Sequence, residues 1–410
     1  MRAFAPTHRL LVCLVTSACA ACADPGGTLD LRADASASAD AGNDPPDAGA
    51  PPTDAAADAG PAEDASAVDA AAPDAEAPDS GAARVTWEEA ELPGELLRWG
   101  ATVAPRGDGQ HYLFGGFELV RRALVTTNDL LLVDMRGDAP VITEVTTTST
   151  PPARSRACAA YDPVSQRLVM RGGRASGRAL NDGTTWELDV QTQRWSVRET
   201  AEAPPGLVGC AMTYVASDRA MYHFGGAFEA PDFDWSSELW RFDLETHTWS
   251  RVAVEGTAPP RGYDMTMAAH DGTIVLFGGG IGVSGNGEFR SDLYTFDVAT
   301  RRWTRLSTGR ARPEGRRGPW MLVSTDGQRV LIGGGESVEE PLDDVWLYDR
   351  ARSVWEDLTP EGTRPLAQGP FATALPGPGD ATISIYGGLG DLTGTPTDAA
   401  WRLRLEGFAF

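Results

Sequence analysis

Four arginines stand just ahead of short runs of small and apolar residues: Arg98 in RWGAT, Arg156 in RACAA, Arg261 in RGYDM and Arg316 in RRGPW. A guanidinium is always charged and offers a planar fork of donors that fits a carboxylate at two points. Four of them converging would make an anion site. Trp99, Tyr263 and Trp320 lie close by in the chain and would add stacking surface for a sugar or a side chain. The opposing account is that each arginine pairs with an acid of its own or the next segment and fastens the fold.

Other chemistry is thinner. Cys158 and Cys210 are the cysteines beyond residue 22, each beside small residues (Ala157, Ala159, Gly209, Ala211). They are either buried packing or a disulfide, which needs α-carbons within about 7 Å. His111, His223, His247 and His270 follow no metal-ligand spacing, so they read as structural or solvated, and no metal site is expected. Asp232, Asp234 and Glu238 share a loop without the spacing of a calcium loop. No G-x-S-x-G elbow, phosphate loop or zinc signature occurs. No catalytic residue and no cofactor is assigned.

Charge narrows the partners. The chain carries 58 acidic and 35 basic residues, the latter all arginine, for a net charge of −23. That field has the wrong sign for nucleic acid. Fourteen of the acids lie in residues 23–83, a stretch of Ala, Asp, Pro, Gly and Ser with one arginine, Arg32, and no aromatic residue. Such a segment cannot bury enough apolar surface to offset about 1–2 kcal/mol of backbone entropy per residue. It is expected to be disordered and extended, either as a spacer or as a solubilising tail. Ahead of it, Arg2 and Arg9 precede an apolar stretch, Leu10 to Ala21, too short to span a bilayer and proportioned like an export signal. The segment CAAC at 19–22 resembles the lipobox of bacterial lipoproteins, although Cys19 stands where leucine is usual. The resemblance implies lipidation at Cys22, with Cys19 as the alternative and plain secretion as the other outcome. All three place the protein outside the cytoplasm, where disulfides form.

The elements that must hold the arginines are repeats. A double glycine closes an apolar run six times: HYLFGG (111–116), LVMRGG (168–173), MYHFGG (221–226), IVLFGG (274–279), VLIGG (330–334) and ISIYGG (383–388). Each pair is followed by an acidic residue and an alternating strand such as SELWRFD (237–243) or DDVWLYD (343–349). In four repeats a tryptophan comes six residues after the closing aspartate: Trp195, Trp249, Trp303 and Trp355. The runs read as strands buried between neighbours, with glycine where backbones crowd and aromatics where one unit packs on the next. Asp108-Gly109, Asp271-Gly272 and Asp326-Gly327 supply tight hairpin turns.

This pattern resembles the kelch repeat family over residues 84–410. The resemblance implies an all-β, six-bladed β-propeller with blades near 93–146, 151–200, 204–254, 259–308, 312–360 and 364–405. The last repeat lacks a fourth strand, and VTWEEAEL (85–92) is expected to supply it, closing the ring and making Trp87 a fifth tryptophan of the set. Repeat 1 departs by lacking an outer-strand aromatic in PVITEV (140–145), and repeat 6 by having Arg404 in place of the aspartate. Kelch domains that bind acidic peptides place arginines at one mouth of the central channel, which implies that role for the four named above. Leu207 and Ala367 fall near the corresponding places in repeats 3 and 6. A related copper oxidase needs histidines, tyrosines and a tyrosine-linked cysteine, and the histidines here do not supply such a set. The expected function is a monomeric, non-catalytic binding module for a protein or glycan, displayed on the cell envelope. The alternatives are an isomerase-like enzyme acting on an acidic sugar and a structural envelope component. The loops at 227–238 and 280–292 are second candidates for recognition.

Overall fold

The computed structural model describes Val85–Ala90, most of 98–360, and the three strands Thr373–Pro376, Thr382–Tyr386 and Ala400–Leu405. The expected export signal with Cys19 and Cys22, the expected tether at 23–83, Ala367 and the sixth glycine pair lie outside the described residues, as do Asp108, Asp232 and the middles of the 227–238 and 280–292 loops.

Among the described residues the fold is all-β, with one turn of 3-10 helix at Ala216–Asp218. Five sheets, termed blades 1 to 5, are each built from one stretch of chain, and their four main strands run inner to outer antiparallel; in blade 4 Glu255–Gly256 adds a short parallel pairing at the outer strand. Blade 2 shows the plan: Cys158–Asp162 inside, then Arg167–Arg171, Thr185–Asp189 and Arg194–Arg198 outermost. Blades 1, 3, 4 and 5 begin at Thr102–Gly107, Ala211–Val215, Tyr263–His270 and Trp320–Val323. A further four-stranded sheet joins the two ends of the chain: Val85–Ala90 runs antiparallel along Ala400–Leu405, with Trp87 opposite Leu403. Inner strands neighbour one another in chain order, from blade 1 through blade 5 to Thr373–Pro376.

Five buried clusters fill the seams between successive sheets among the described residues. Each of the first four is centred on an outer-strand tryptophan: Trp195, Trp249, Trp303 and Trp355, all at most 4% exposed. The residue before a glycine pair reaches the tryptophan of the next blade. Phe114, Phe224 and Phe277 meet Trp195, Trp303 and Trp355 edge-on at 5.5–5.6 Å between ring centroids. At the second seam Arg171 takes the place of phenylalanine and lies 5.8 Å over Trp249. Each aromatic pair adds about 0.5–1.5 kcal/mol beyond the area it buries.

The glycine pairs are where one blade is tied to the next. All five described pairs have positive φ at both residues, from +58° to +108°, a region that side chains with a Cβ resist. The second glycine donates its N–H to the loop of the following blade: Gly116 to the Arg154 carbonyl (2.9 Å), Gly173 to Leu207 (2.9 Å), Gly226 to Gly262 (2.8 Å) and Gly279 to Arg316 (2.8 Å). In blade 5 this geometry belongs to Gly334-Gly335, one residue later than the apolar run implies. Gly333 is instead the position before the pair, and a Cβ there would strike the Trp320 ring, which fills the space that a phenylalanine occupies elsewhere. Trp320 is 4% exposed and belongs to the seam beneath Trp87, Leu403 and Leu405.

Candidate functional site

The loops entering the inner strands form a repeating backbone device. Five residues there adopt left-handed φ: Gly100 (+63°), Arg156 (+54°), Gly209 (+65°), Asp264 (+51°) and Gly318 (+60°). Each of the last four donates a hydrogen bond to its predecessor: Arg156 N–H to the Gly100 carbonyl (2.7 Å), Gly209 to Arg156 (3.0 Å), Asp264 to Gly209 (2.6 Å) and Gly318 to Asp264 (2.7 Å). The result is a collar that runs from blade to blade where the inner strands begin. Glycine serves at three of its described members, as left-handed φ requires. The two that carry side chains are an arginine and an aspartate.

Those two side chains meet. The Arg156 guanidinium donates to the Asp264 carboxylate across Gly209, and a Cβ on Gly209 would collide with that carboxylate. Arg156 also lies 5.4 Å over the Tyr263 ring. Arg317 approaches the same ring from blade 5 at 5.6 Å, bonds the Tyr263 hydroxyl and pairs with Glu336 (3.0 Å). Tyr263 donates its hydroxyl proton to the Gly282 carbonyl (2.6 Å), and burial raises its pKa, so it stays neutral. Cationic, anionic and aromatic groups from blades 2, 4 and 5 therefore share one patch. Arg156 keeps 17% of its side chain accessible there, and Asp264 keeps 7%.

The four arginines singled out in the sequence are not brought together. Arg316 is wholly buried and bidentate on Asp344, with further bonds to the Gly334 and Glu314 carbonyls. Arg98 holds Asp129 (2.7 Å), Glu118 (3.4 Å) and the Gly115 carbonyl (3.3 Å) within blade 1. Its repeat equivalent in blade 2 is Arg154, fully buried and bonded to the Gly172 and Pro152 carbonyls. These three fasten the strand entry to the glycine pair. Arg156 stands two residues further on, in the collar. Arg261 is exposed, paired with Asp234 (2.7 Å) and 5.8 Å over Trp235. Of the aromatic candidates, Tyr263 is in the patch, Trp99 stacks on Phe117 (4.4 Å) at the blade 1 entry, and Trp320 is interior. Asp264, Arg317 and Glu336 were missed by sequence reasoning. Only the repeat register, which places Asp264 where blades 1, 3 and 5 have glycine, would have marked the first.

Cys158 and Cys210 form a disulfide between the inner strands of blades 2 and 3, with α-carbons 5.6 Å apart. His223, on the second strand of blade 3, is buried, edge-on to Trp249 at 6.0 Å, and burial drops its pKa to about 3. His111 in blade 1 is buried and lowered to about 3 for the same reason.

A model of the KLHDC2/KLHL20/DRC7 Kelch-repeats domain matches residues 163–388. Kelch domain-containing protein 3 from Bos taurus, Rattus norvegicus and Mus musculus is similar at 26% identity over 187 residues, 44% of this chain and 48% of theirs. The chain thus spans about half the length of these relatives. Repeat register, glycine pairs, seam tryptophans and family match agree, and the chain belongs to the kelch-repeat β-propeller family.

Proposed function

We propose that the protein is a non-catalytic interaction module that binds a partner protein at the collar, with Arg156 receiving a carboxylate of the partner. The observation that carries this reading is the Arg156–Asp264 pair, a partly accessible guanidinium held beside aromatic surface by a carboxylate that an incoming one can replace. The kelch family membership supports a protein partner. Arg261 and Trp99, on the same strand-entry loops, would extend the contact. This reading takes the ring as six-bladed, with the sheet that joins Val85–Ala90 to the last strands as the sixth blade. It predicts that acidic peptides bind and that their Asn/Gln counterparts do not; turnover of an acidic sugar, or glycan binding indifferent to Arg156→Ala, would sink it.

The N-terminal 83 residues give this module a setting. Residues 1–22 would export it, Cys22 or Cys19 would carry a lipid, and 23–83 would hold the propeller off a membrane. Metabolic labelling with a fatty acid in a bacterial host tests this: label lost in Cys22→Ala assigns the anchor, and label absent from the wild type removes it.

A further inference from the structure

Three soft or borderline ligands meet at the seam between blades 2 and 3. Cys158 comes from one inner strand, Cys210 from the next, and His223 from the second strand of blade 3. The two Sγ atoms and a ring nitrogen of His223 lie within 4.8 Å of one another. His223 is 1% exposed, and neither of its ring nitrogens has a hydrogen-bond partner. A buried imidazole normally finds one, because an unpaired polar group costs about 1–3 kcal/mol. Here it stands edge-on to Trp249, whose ring belongs to an apolar seam, and leucine would pack there without that cost. What sets the position apart is that it faces two sulfurs.

We propose that Cys158, Cys210 and His223 form a redox-gated site for a thiophilic divalent cation of the zinc class. With the disulfide closed, both sulfurs are spent on each other and the site binds nothing. A dithiol reductant opens it: two electrons and two protons pass to the S–S bond, giving two thiols, while the reductant closes to its own disulfide. The cation then displaces both thiol protons and takes two thiolates and the His223 lone pair. Two sulfurs and one imidazole leave a fourth position, as in three-ligand zinc centres. The neighbouring Arg171, held by Thr185 (2.6 Å) and stacked over Trp249, adds a positive charge that favours the thiolates. Cys210 is half-buried, so the sulfurs are reached from its side, while Cys158 is buried.

The test uses the full chain with Cys13, Cys19 and Cys22 changed to serine, so that only the ring cysteines report. Co2+ serves as the optical probe and Zn2+ as its competitor, with circular dichroism recorded in each state. After dithiol reduction the protein is expected to take up one Co2+ with a thiolate charge-transfer band, to lose that band to Zn2+, and to show no band when oxidised. His223→Leu, which keeps both cysteines and fills the same volume, should fold, form the disulfide and give no such band. Three results would overturn the proposal: no band in the reduced wild type, an unchanged band in His223→Leu, or a reduced chain that unfolds and is not restored by Zn2+.

Discussion

Arg156 and Asp264, 108 residues apart, close an ion pair over the α-carbon of Gly209. The three residues hold equivalent places in successive blades and share one left-handed backbone conformation. Their hydrogen-bonded collar brings a charged pair to the strand-entry loops without a long loop to carry it. The pair joins blade 2 to blade 4 and holds Arg156 beside Tyr263.

Changing the partner should therefore alter binding without deleting the site. Asp264→Asn keeps a residue that tolerates left-handed φ and removes the internal competitor for Arg156. Acidic peptides should bind more tightly to it, and isothermal titration would show this. Weaker binding would mean that Asp264 contacts the partner directly.

Gly209→Ala tests the collar itself. The substitution asks a Cβ to occupy space held by the Asp264 carboxylate at φ +65°. A left-handed conformation alone costs about 1–2 kcal/mol for a residue with a Cβ. Urea unfolding should register at least that loss, and peptide affinity should fall with it.

The buried arginines make the opposite prediction. Arg316→Met leaves Asp344 without its bidentate partner and should cost about 3–5 kcal/mol of stability. Arg261→Ala removes an exposed pair and should change stability by no more than about 0.5 kcal/mol. Denaturant midpoints of the two variants distinguish fastening from surface arginines.

Acid should act through the buried histidines. His111 and His223 stay neutral in the fold down to about pH 3, whereas in the unfolded chain they protonate near the ordinary 6.5. The unfolded state thus binds more protons below 6.5, and stability falls as pH drops from 6.5 towards 3. Each histidine contributes roughly 1.4 kcal/mol per pH unit across that window. Asp243, held at about 2 by the Thr246 N–H and by Arg241, adds a loss below pH 4. His223→Leu should roughly halve the slope between about pH 6.5 and 4, measured as unfolding free energy against pH.

The seams were legible because each rests on a residue type no other role demands: paired glycines, and tryptophans at a fixed offset from an aspartate. The strand that joins the chain ends was legible because the last repeat lacks a fourth strand and VTWEEAEL (85–92) has the form of RWTRLS (302–307). The site was harder to read, and for a physical reason. Arg98 and Arg154 reach glycine carbonyls 17 and 18 residues ahead, whereas Arg156 belongs to a different position of the same loop. Two residues of slack in the loops erase that distinction in a linear reading. The pairing of Arg156 with Asp264 depends on a collar seen only in three dimensions, as does the approach of His223 to two sulfurs. Blade 5 shows the same limit, since its three consecutive glycines hide which two make the pair until φ is known.

The most direct measurement is the affinity of the full chain for acidic peptides and their Asn/Gln counterparts, in wild type and Arg156→Ala, with far-ultraviolet circular dichroism to confirm the fold. The account predicts binding that needs the carboxylate and that Arg156→Ala weakens by about 1.5–3 kcal/mol, roughly ten- to hundredfold in Kd. Equal affinity for wild type and Arg156→Ala, or for carboxylate and amide peptides, would contradict it.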